Sequence, residues 1–364
     1  MTGSVLVAGT GLIGTSLGLA LQGHTKVFLA DADPTRLEEA VARGGGLAWD
    51  GQTPVDLAIV AVPPGATAGV LMELQHRQVA LTFTHVAGTQ SRVQADLEAL
   101  SNDVNSDLSA ICGGHPLAGR EVTGPAGATA DLFLGRPWVA CPSGKTSAAA
   151  LSAVTGLAEA CGAEPVVMSA EEHDRAVALS SHLPQAAASA LAARLVAADA
   201  ATVAVSGPGL HDTTRVAASD AALWTDVMSG NAAQLAPLVA LLAEDLERLA
   251  AALRSLAAHP GDAAATSVVR DLLGRGNAGR ALVPVKRGVR DRDVGVVTVR
   301  LSDEPGRLAD LLVRSAAAGV NVEDVRVEHL PGRPTGLVEL LVRAADAGRL
   351  GEALRAGGQD VVAP

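Results

Sequence analysis

The chain has 364 residues, a formal charge of −11 at pH 7, and three Trp, three Phe and no Tyr. So few aromatic rings cannot supply the stacking platforms of a single-stranded nucleic-acid binder, and the charge opposes a phosphate-binding surface. The length suffices for two or three domains, with a core of Ala, Val and Leu.

The first strand is predicted at 5–8, followed at once by a glycine-rich turn and a helical run over 15–21. Strand signals recur at 27–30, 57–62, 79–83, 138–140 and 165–168, with helical periodicity at 35–43, 66–75, 92–100 and 147–160. Continuous apolar strands alternating with helices predict a Rossmann-type α/β domain with a parallel sheet over 1–168. At Ser169 the character changes: Ser169 and Glu172 have capping-box spacing, and the Ala- and Leu-rich segment beyond is broken mainly at 206–209. An all-helical domain over 169–288 is expected, with an Ala-rich face suited to close packing or to a homodimer interface. Residues 259–293 read as irregular, through Gly274, Gly276 and Gly279 to Arg290, Asp291 and Arg292. The last unit, 293–364, has the order βαββαβ of a small ferredoxin-like domain.

The uncharged run 176–193 contains Ser180, Ser181, His182, Pro184, Gln185 and Ser189, so it predicts a buried helix and not a membrane span. No basic, apolar leader precedes the first strand. Cys112, Cys141 and Cys161 are odd in number and make no C-x-x-C pair, which argues against a disulfide framework. The expectation is a soluble cytoplasmic protein without nucleic-acid or membrane partners.

Gly9-Thr10-Gly11-Leu12-Ile13-Gly14 is a G-x-G-x-x-G between a strand and a helix. The first glycine permits the turn, the second lets backbone approach a pyrophosphate, and the third lets helix pack on strand. Asp31 follows the second strand and is placed to bind ribose hydroxyls and repel a 2′-phosphate. The candidate cofactor residues are therefore Gly9, Gly11, Leu12, Ile13, Gly14 and Asp31, and the expected cofactor is NAD. A glycine turn in some other α/β protein is the plainer alternative, and Asp33 competes with Asp31, although strand phase favours Asp31.

His115 lies in Gly113-Gly114-His115-Pro116-Leu117-Ala118-Gly119, which reads as a loop after the parallel strands. A neutral imidazole there can accept a proton from a substrate hydroxyl during hydride transfer, whereas a lone loop histidine more often caps a turn. Cys112 and His115 form half a metal motif with no complementary pair, so no metal is expected. Arg215 is suited to a bidentate carboxylate contact, against the plain reading of a solvated surface arginine. No G-x-S-x-G elbow accompanies the Ser/His/Asp content.

Taken together, the glycine turn, H-P-L-A-G at 115–119, Glu172-His173-Asp174, Ser181-His182-Leu183-Pro184 and Asp212-Thr213-Thr214-Arg215 with Trp224 beyond resemble the prephenate/arogenate dehydrogenase family of tyrosine biosynthesis. The C-terminal unit, with Asp303-Glu304-Pro305-Gly306-Arg307-Leu308 and Gly319-Val320-Asn321-Val322, resembles an ACT domain. The resemblance implies oxidative decarboxylation of prephenate or arogenate, with hydride passing to NAD and His115 polarising the ring hydroxyl. It implies substrate contacts from Arg215, Ser181, His211, Gln185 and Trp224, the last from a neighbouring subunit of a homodimer. It also implies an amino-acid effector such as tyrosine. The sequence departs from the family at Gly88, where a serine is usual, at Gln90, where a lysine is usual, and at Gln185, where prephenate-preferring members often have histidine. Thr89 and Ser91 are the hydroxyls left to substitute for that serine. The alternatives are a non-catalytic NAD-binding, amino-acid-sensing regulator and another NAD-dependent hydroxy-acid dehydrogenase. The latter commonly needs a lysine that 171–185 lacks.

Overall fold

A computed structural model describes residues 3–101, 106–120, 122–283, 293–329 and 334–362. Strands β1 (Ser4–Ala8), β2 (Lys26–Ala30), β3 (Leu47–Ala48), β4 (Val55–Val60) and β5 (Ala80–His85) alternate with helices α1 (Leu12–Ala20), α2 (Pro34–Ala42), α3 (Pro64–His76) and α4 (Ser91–Leu100). The layer is completed by β6 (Ile111–Pro116), β7 (Pro137–Cys141), α5 (Ala148–Ala160) and β8 (Glu164–Val167). The strand order is β3-β2-β1-β4-β5-β6-β7-β8. Winding reverses between β1 and β4, so the ligand crevice of such a sheet lies outside the carboxyl ends of those strands. The strands are apolar on both faces because both are covered. Leu6, Val60, Leu71 and Phe83 share one buried cluster, and Val5, Val7, Ile59 and Leu157 share another.

Two expectations are corrected in this layer. The sheet is not wholly parallel: β6 and β7 pair antiparallel, from Gly113 opposite Cys141 to Pro116 opposite Trp138. The chain returns beside β6 through the 3-10 turn Pro125–Gly127 instead of the crossover helix that parallel pairing usually uses. His115 lies on β6, not in a loop, because the ladder to β7 holds it in extended backbone. The glycines that hid this strand have a packing role. A Cβ on Gly113 would overlap Gln90 Oε1, so only glycine lets the loop after β5 close onto β6.

Beyond the sheet lie α6 (Ala170–Val177), a π turn (Ala178–His182), α7 (Leu183–Ala192), α8 (Ala200–Ala204), α9 (Pro208–Thr214), α10 (Ala221–Gly230), α11 (Ala232–Ala258) and α12 (Ala263–Arg280). The capping box forms as expected, with Ser169 and Glu172 each satisfying the other's backbone. The irregular reading of 259–293 is corrected over α12. Each glycine there costs a helix about 1 kcal/mol relative to Ala. Asp262 offsets this as N-cap, accepting from Ala265 N–H, and Arg275 bonds both Asp271 in the same helix and Asp245 of α11. Residues 284–292, including Arg290, Asp291 and Arg292, lie outside the described residues. No helix among the described residues is long and apolar enough to cross a membrane.

The chain divides into two compact units, 1–242 and 243–364. The second contains β9 (Val294–Ser302), α13 (Arg307–Ala317), β10 (Val322–His329), β11 (Thr335–Arg343), α14 (Ala344–Ala356) and β12 (Asp360–Val361). The order β10-β11-β9-β12, antiparallel throughout, is the expected ferredoxin-like βαββαβ arrangement. Val299, Leu311, Leu340, Leu350 and Leu354 form its core.

Candidate active site

Two constructions share the carboxyl ends of the parallel strands. The first is the turn between β1 and α1. Gly9 has φ +101°, and a Cβ there would overlap the carbonyl oxygen of Ala61 after β4. A Cβ on Gly14 would overlap the carbonyl oxygen of Gly9, so this contact fixes how closely α1 approaches the turn. Gly11 has no such neighbour: a Cβ there meets nothing within 4 Å. It is the N-cap of α1, with no side-chain cap and no acid in the first turn, where Leu12 and Ile13 present backbone to an approaching anion.

Asp31 borders this turn. Its Oδ2 accepts from the Thr10 N–H at 2.6 Å and the Thr10 hydroxyl at 2.8 Å, and its Oδ1 accepts from the Asp33 N–H at 2.9 Å. Burial pushes its pKa up, but those bonds outweigh burial and hold the carboxyl below its usual range. Asp33 is occupied otherwise, capping α2 through the Thr35 N–H. The competition between the two acids is thereby resolved in geometry: only Asp31 joins the glycine turn. The open backbone at Gly11 and the anion at Asp31 fit a dinucleotide without a 2′-phosphate.

The second construction is a cluster of imidazoles. His173 and Asp174 are buried on α6, and His173 Nδ1 lies 2.8 Å from Asp174 Oδ1. Asp174 also receives the Gln90 N–H on Oδ1 and the Ser91 N–H on Oδ2, each at 2.8 Å, at the start of α4. Burial pushes this carboxyl up, but bonds from His173, Gln90 and Ser91 outweigh it and keep its pKa below the usual value. A carboxylate only accepts, so a neutral His173 carries its proton on Nδ1 and offers a lone pair at Nε2. That Nε2 lies 2.8 Å from His115 Nδ1, which must therefore be the donor. The remaining nitrogen of His115, Nε2, is left as an acceptor. It lies 3.7 Å from where a Cβ on Gly88 would be. Burial is the main cause that pulls His115 down to about 3, with smaller contributions from His173, His182 and His85, so its neutral form prevails at pH 7.

His182 is presented by the π turn, in which Leu183 N–H bonds to Ala178 O. Pro184 has no N–H to continue α-helical bonding, and such turns recur where a helix must re-aim a side chain. Asn231 donates from Nδ2 to Asp174 O at 2.8 Å and to His182 Nδ1 at 3.1 Å, so His182 carries its proton on Nε2. Trp224, half-buried on α10, meets His182 edge-on with 5.9 Å between ring centroids, within the same chain. Gln185 is buried one turn further along, and Ser181 is exposed beside His182. Arg215 and His211 are exposed, on a 3-10 turn and on α9, both of which pack against α7.

The two spare hydroxyls differ in their surroundings. Thr89 is fully buried against Gly230 and its Oγ1 has no hydrogen-bond partner among the described residues, while Ser91 bonds to Asp174. Sequence reasoning gave no role to His173, Asp174, Asn231 or His85. Only the His-Asp dipeptide just inside a capping box signalled the first two. His85 is buried, and its Nδ1 accepts from the Ala87 N–H at 3.3 Å. Burial is also the larger cause that pulls its pKa down to about 4. No group of three or more His, Cys, Asp or Glu among the described residues is arranged to hold a metal.

Fold and site together describe a nucleotide-binding α/β domain whose strands present a neutral imidazole near their carboxyl ends, followed by helices that complete that site. Residues 17–167 match the nucleotide-binding domain of prephenate dehydrogenase, and 169–260 match its dimerization domain. A probable prephenate dehydrogenase of Streptomyces niveus, NovF, is 38% identical over 97% of this chain and 97% of its own. A cyclohexadienyl dehydrogenase of Zymomonas mobilis is 30% identical over 69% of this chain and 88% of its own. In fold, the chain is similar to the prephenate dehydrogenase of A. aeolicus, solved with hydroxyphenyl propionate and NAD+ (TM-score 0.63, 23% identity, 76% of this chain and 97% of that one). It is similarly close to Synechocystis arogenate dehydrogenase (TM-score 0.58, 23% identity, 76% and 99%). The chain belongs to the prephenate dehydrogenase family.

Proposed function

We propose that the protein is an NAD-dependent dehydrogenase that oxidatively decarboxylates prephenate or arogenate in the making of tyrosine. The observation that carries this reading is the His115 ring, bonded through Nδ1 to His173 with Nε2 left over, at the same carboxyl end of the strands as the glycine turn. Gly9, Gly11, Leu12, Ile13 and Gly14 would hold NAD, with Asp31 to bind ribose hydroxyls, and the cofactor would supply the hydride acceptor. His115 Nε2 takes the proton of the ring hydroxyl while the carbon bearing it is oxidised. The ring carboxylate then departs as CO2, its electron pair completes the aromatic ring, and His115 returns the proton to the phenolate oxygen. Aromatisation drives the reaction, so the residues mainly need to align and polarise. Arg215 holds a substrate carboxylate, and Ser181, Gln185, His211 and Trp224 complete the substrate side.

The same reading places a substrate and dimerisation domain at 169–288 and a homodimer in the cytoplasm. Residues 293–364 act as an ACT-like unit whose effector is tyrosine. The test is NADH formation by the full chain with each substrate. Turnover of at least one is expected; none with either, despite measured NAD binding, overturns the reading. Loss of tyrosine inhibition on removing 293–364 is expected for the regulatory part, and unchanged inhibition in a folded truncation contradicts it.

A further inference from the structure

His115 is an awkward place to leave a proton. It is crowded by the His173 imidazole from α6, by His182 from the π turn and by His85 from β5, and Asp174 is the anion that faces it. Among the described residues, no carboxylate is bonded to His115 to meet a charge arriving on Nε2. The contact lies one ring further back, where His173 Nδ1 meets Asp174 Oδ1 at 2.8 Å. The three groups form an unbroken line: His115 Nε2 at the open end, Nδ1 on His173 Nε2 at 2.8 Å, and His173 on the carboxylate. The far end is rigidly held. Asp174 accepts from two backbone N–H groups at the start of α4, and its carbonyl oxygen accepts from Asn231.

We propose that His115, His173 and Asp174 form a proton relay in which the substrate's hydroxyl proton enters at His115 Nε2 while the Nδ1 proton of His115 passes to His173 Nε2. This rests on the dehydrogenase reading above. The balance closes within the line. His115 gains a proton at one nitrogen and gives one up at the other, staying neutral. His173 becomes the cation, now bearing protons on both nitrogens, directly paired with the Asp174 carboxylate. When the phenolate forms, the sequence reverses, and no external acid or base is needed. The pair also fixes a resting tautomer: with Asp174 ionised, only His115 Nε2 is left to accept, which is what a hydroxyl substrate needs. Asp174 and His173 act through His115 and are positioning residues, distinct from the group that meets substrate.

Two readouts on the full chain separate this from a merely structural role. Nitrogen-15 NMR of the histidines, without substrate, is expected to find protons on Nδ1 of His115 and His173 and none on their Nε2 at pH 7.5. The opposite tautomer on either ring overturns the relay whether or not the protein turns over prephenate or arogenate. Single-turnover NADH formation then tests His173→Leu, which removes the line, and His173→Gln, which keeps an acceptor and a donor yet carries no positive charge. His173→Leu is expected to slow the step about 100-fold or more, within the range for losing acid–base assistance, with NAD affinity unchanged. His173→Gln is expected to remain at least about tenfold slow. Its rate should vary linearly with deuterium fraction in the solvent, where the wild type curves because two protons move. A glutamine variant at the wild-type rate, or a linear wild-type dependence, overturns the relay. No NADH from the wild type with either substrate overturns the function itself, a distinct result from these.

Discussion

The glycine turn and the histidine cluster stand at the same end of one sheet, yet they are made of different materials. The turn is backbone against backbone: Gly9 against Ala61, Gly14 against Gly9, with Asp31 as its one charged side chain. Nearly all its parts are contiguous, and what it offers an anion is backbone N–H, which no side-chain substitution short of proline removes. The cluster is made of side chains drawn from β5, β6, α6, the π turn and Asn231, joined across 58 residues at one bond and 84 at another. A backbone site binds an anion through geometry and dipole, whatever the neighbouring side chains are. A side-chain site sets tautomer and charge, and depends on each partner in turn. The turn should therefore govern affinity for the nucleotide, and the cluster the rate of the chemical step.

Within the turn the sharpest break comes at Gly14. Gly14→Ala drives a methyl into the Gly9 carbonyl, and should lower stability by about 1–3 kcal/mol as an overpacked contact while also weakening NAD. Calorimetry with NAD titration checks it; an unchanged melting temperature contradicts the contact. Gly11→Ala meets no protein atom, so it should leave stability unaltered and weaken NAD alone by roughly tenfold, through loss of close backbone approach. Equal loss of stability in both variants would erase the distinction drawn between the two glycines. A smaller effect is expected of Asp31→Ser, which removes the charge that opposes a 2′-phosphate and should narrow the preference for NAD over NADP without altering turnover. Unchanged discrimination would remove Asp31 from that role.

The cluster also leaves a mark on stability. His85 and His115 are held neutral, down to about 4 and about 3, and His182 is lowered as well, chiefly by burial. Their unfolded counterparts protonate near pH 6.5. Below that the unfolded chain binds more protons, so stability must fall as pH drops from about 6.5 toward the folded values, by up to about 1.4 kcal/mol per pH unit for each histidine. Melting temperatures between pH 7 and 5 should decline, and His85→Gln should flatten the slope by about one proton's worth. A profile flat over that interval contradicts the neutral cluster.

These two materials also explain what could be seen in the amino-acid order. The turn, Asp31 at a strand end and the Ser169–Glu172 box are local patterns, and each appears in the structure where its spacing put it. His115 was visible as a residue but not as part of a strand, since Gly113 and Gly114 conceal the ladder they make possible. Helix α12 was hidden behind Gly274, Gly276 and Gly279, because the cap at Asp262 and the Arg275 ion pairs act through spacing that glycine counting ignores. Asn231 gave no signal at all. Its two acceptors lie 49 and 57 residues away, and only packing brings them to it. The βαββαβ order of the second unit was legible throughout, as its strands and helices alternate with clear periods.

The division of labour is tested most directly by His115→Asn, read for NAD affinity and single-turnover NADH formation in one preparation. Affinity within about threefold of the wild type and a rate lowered by about 10²–10⁴, the span for losing a general base, are predicted. A rate within tenfold of the wild type, or a loss confined to NAD binding, would contradict the assignment of the chemical step to the histidine cluster.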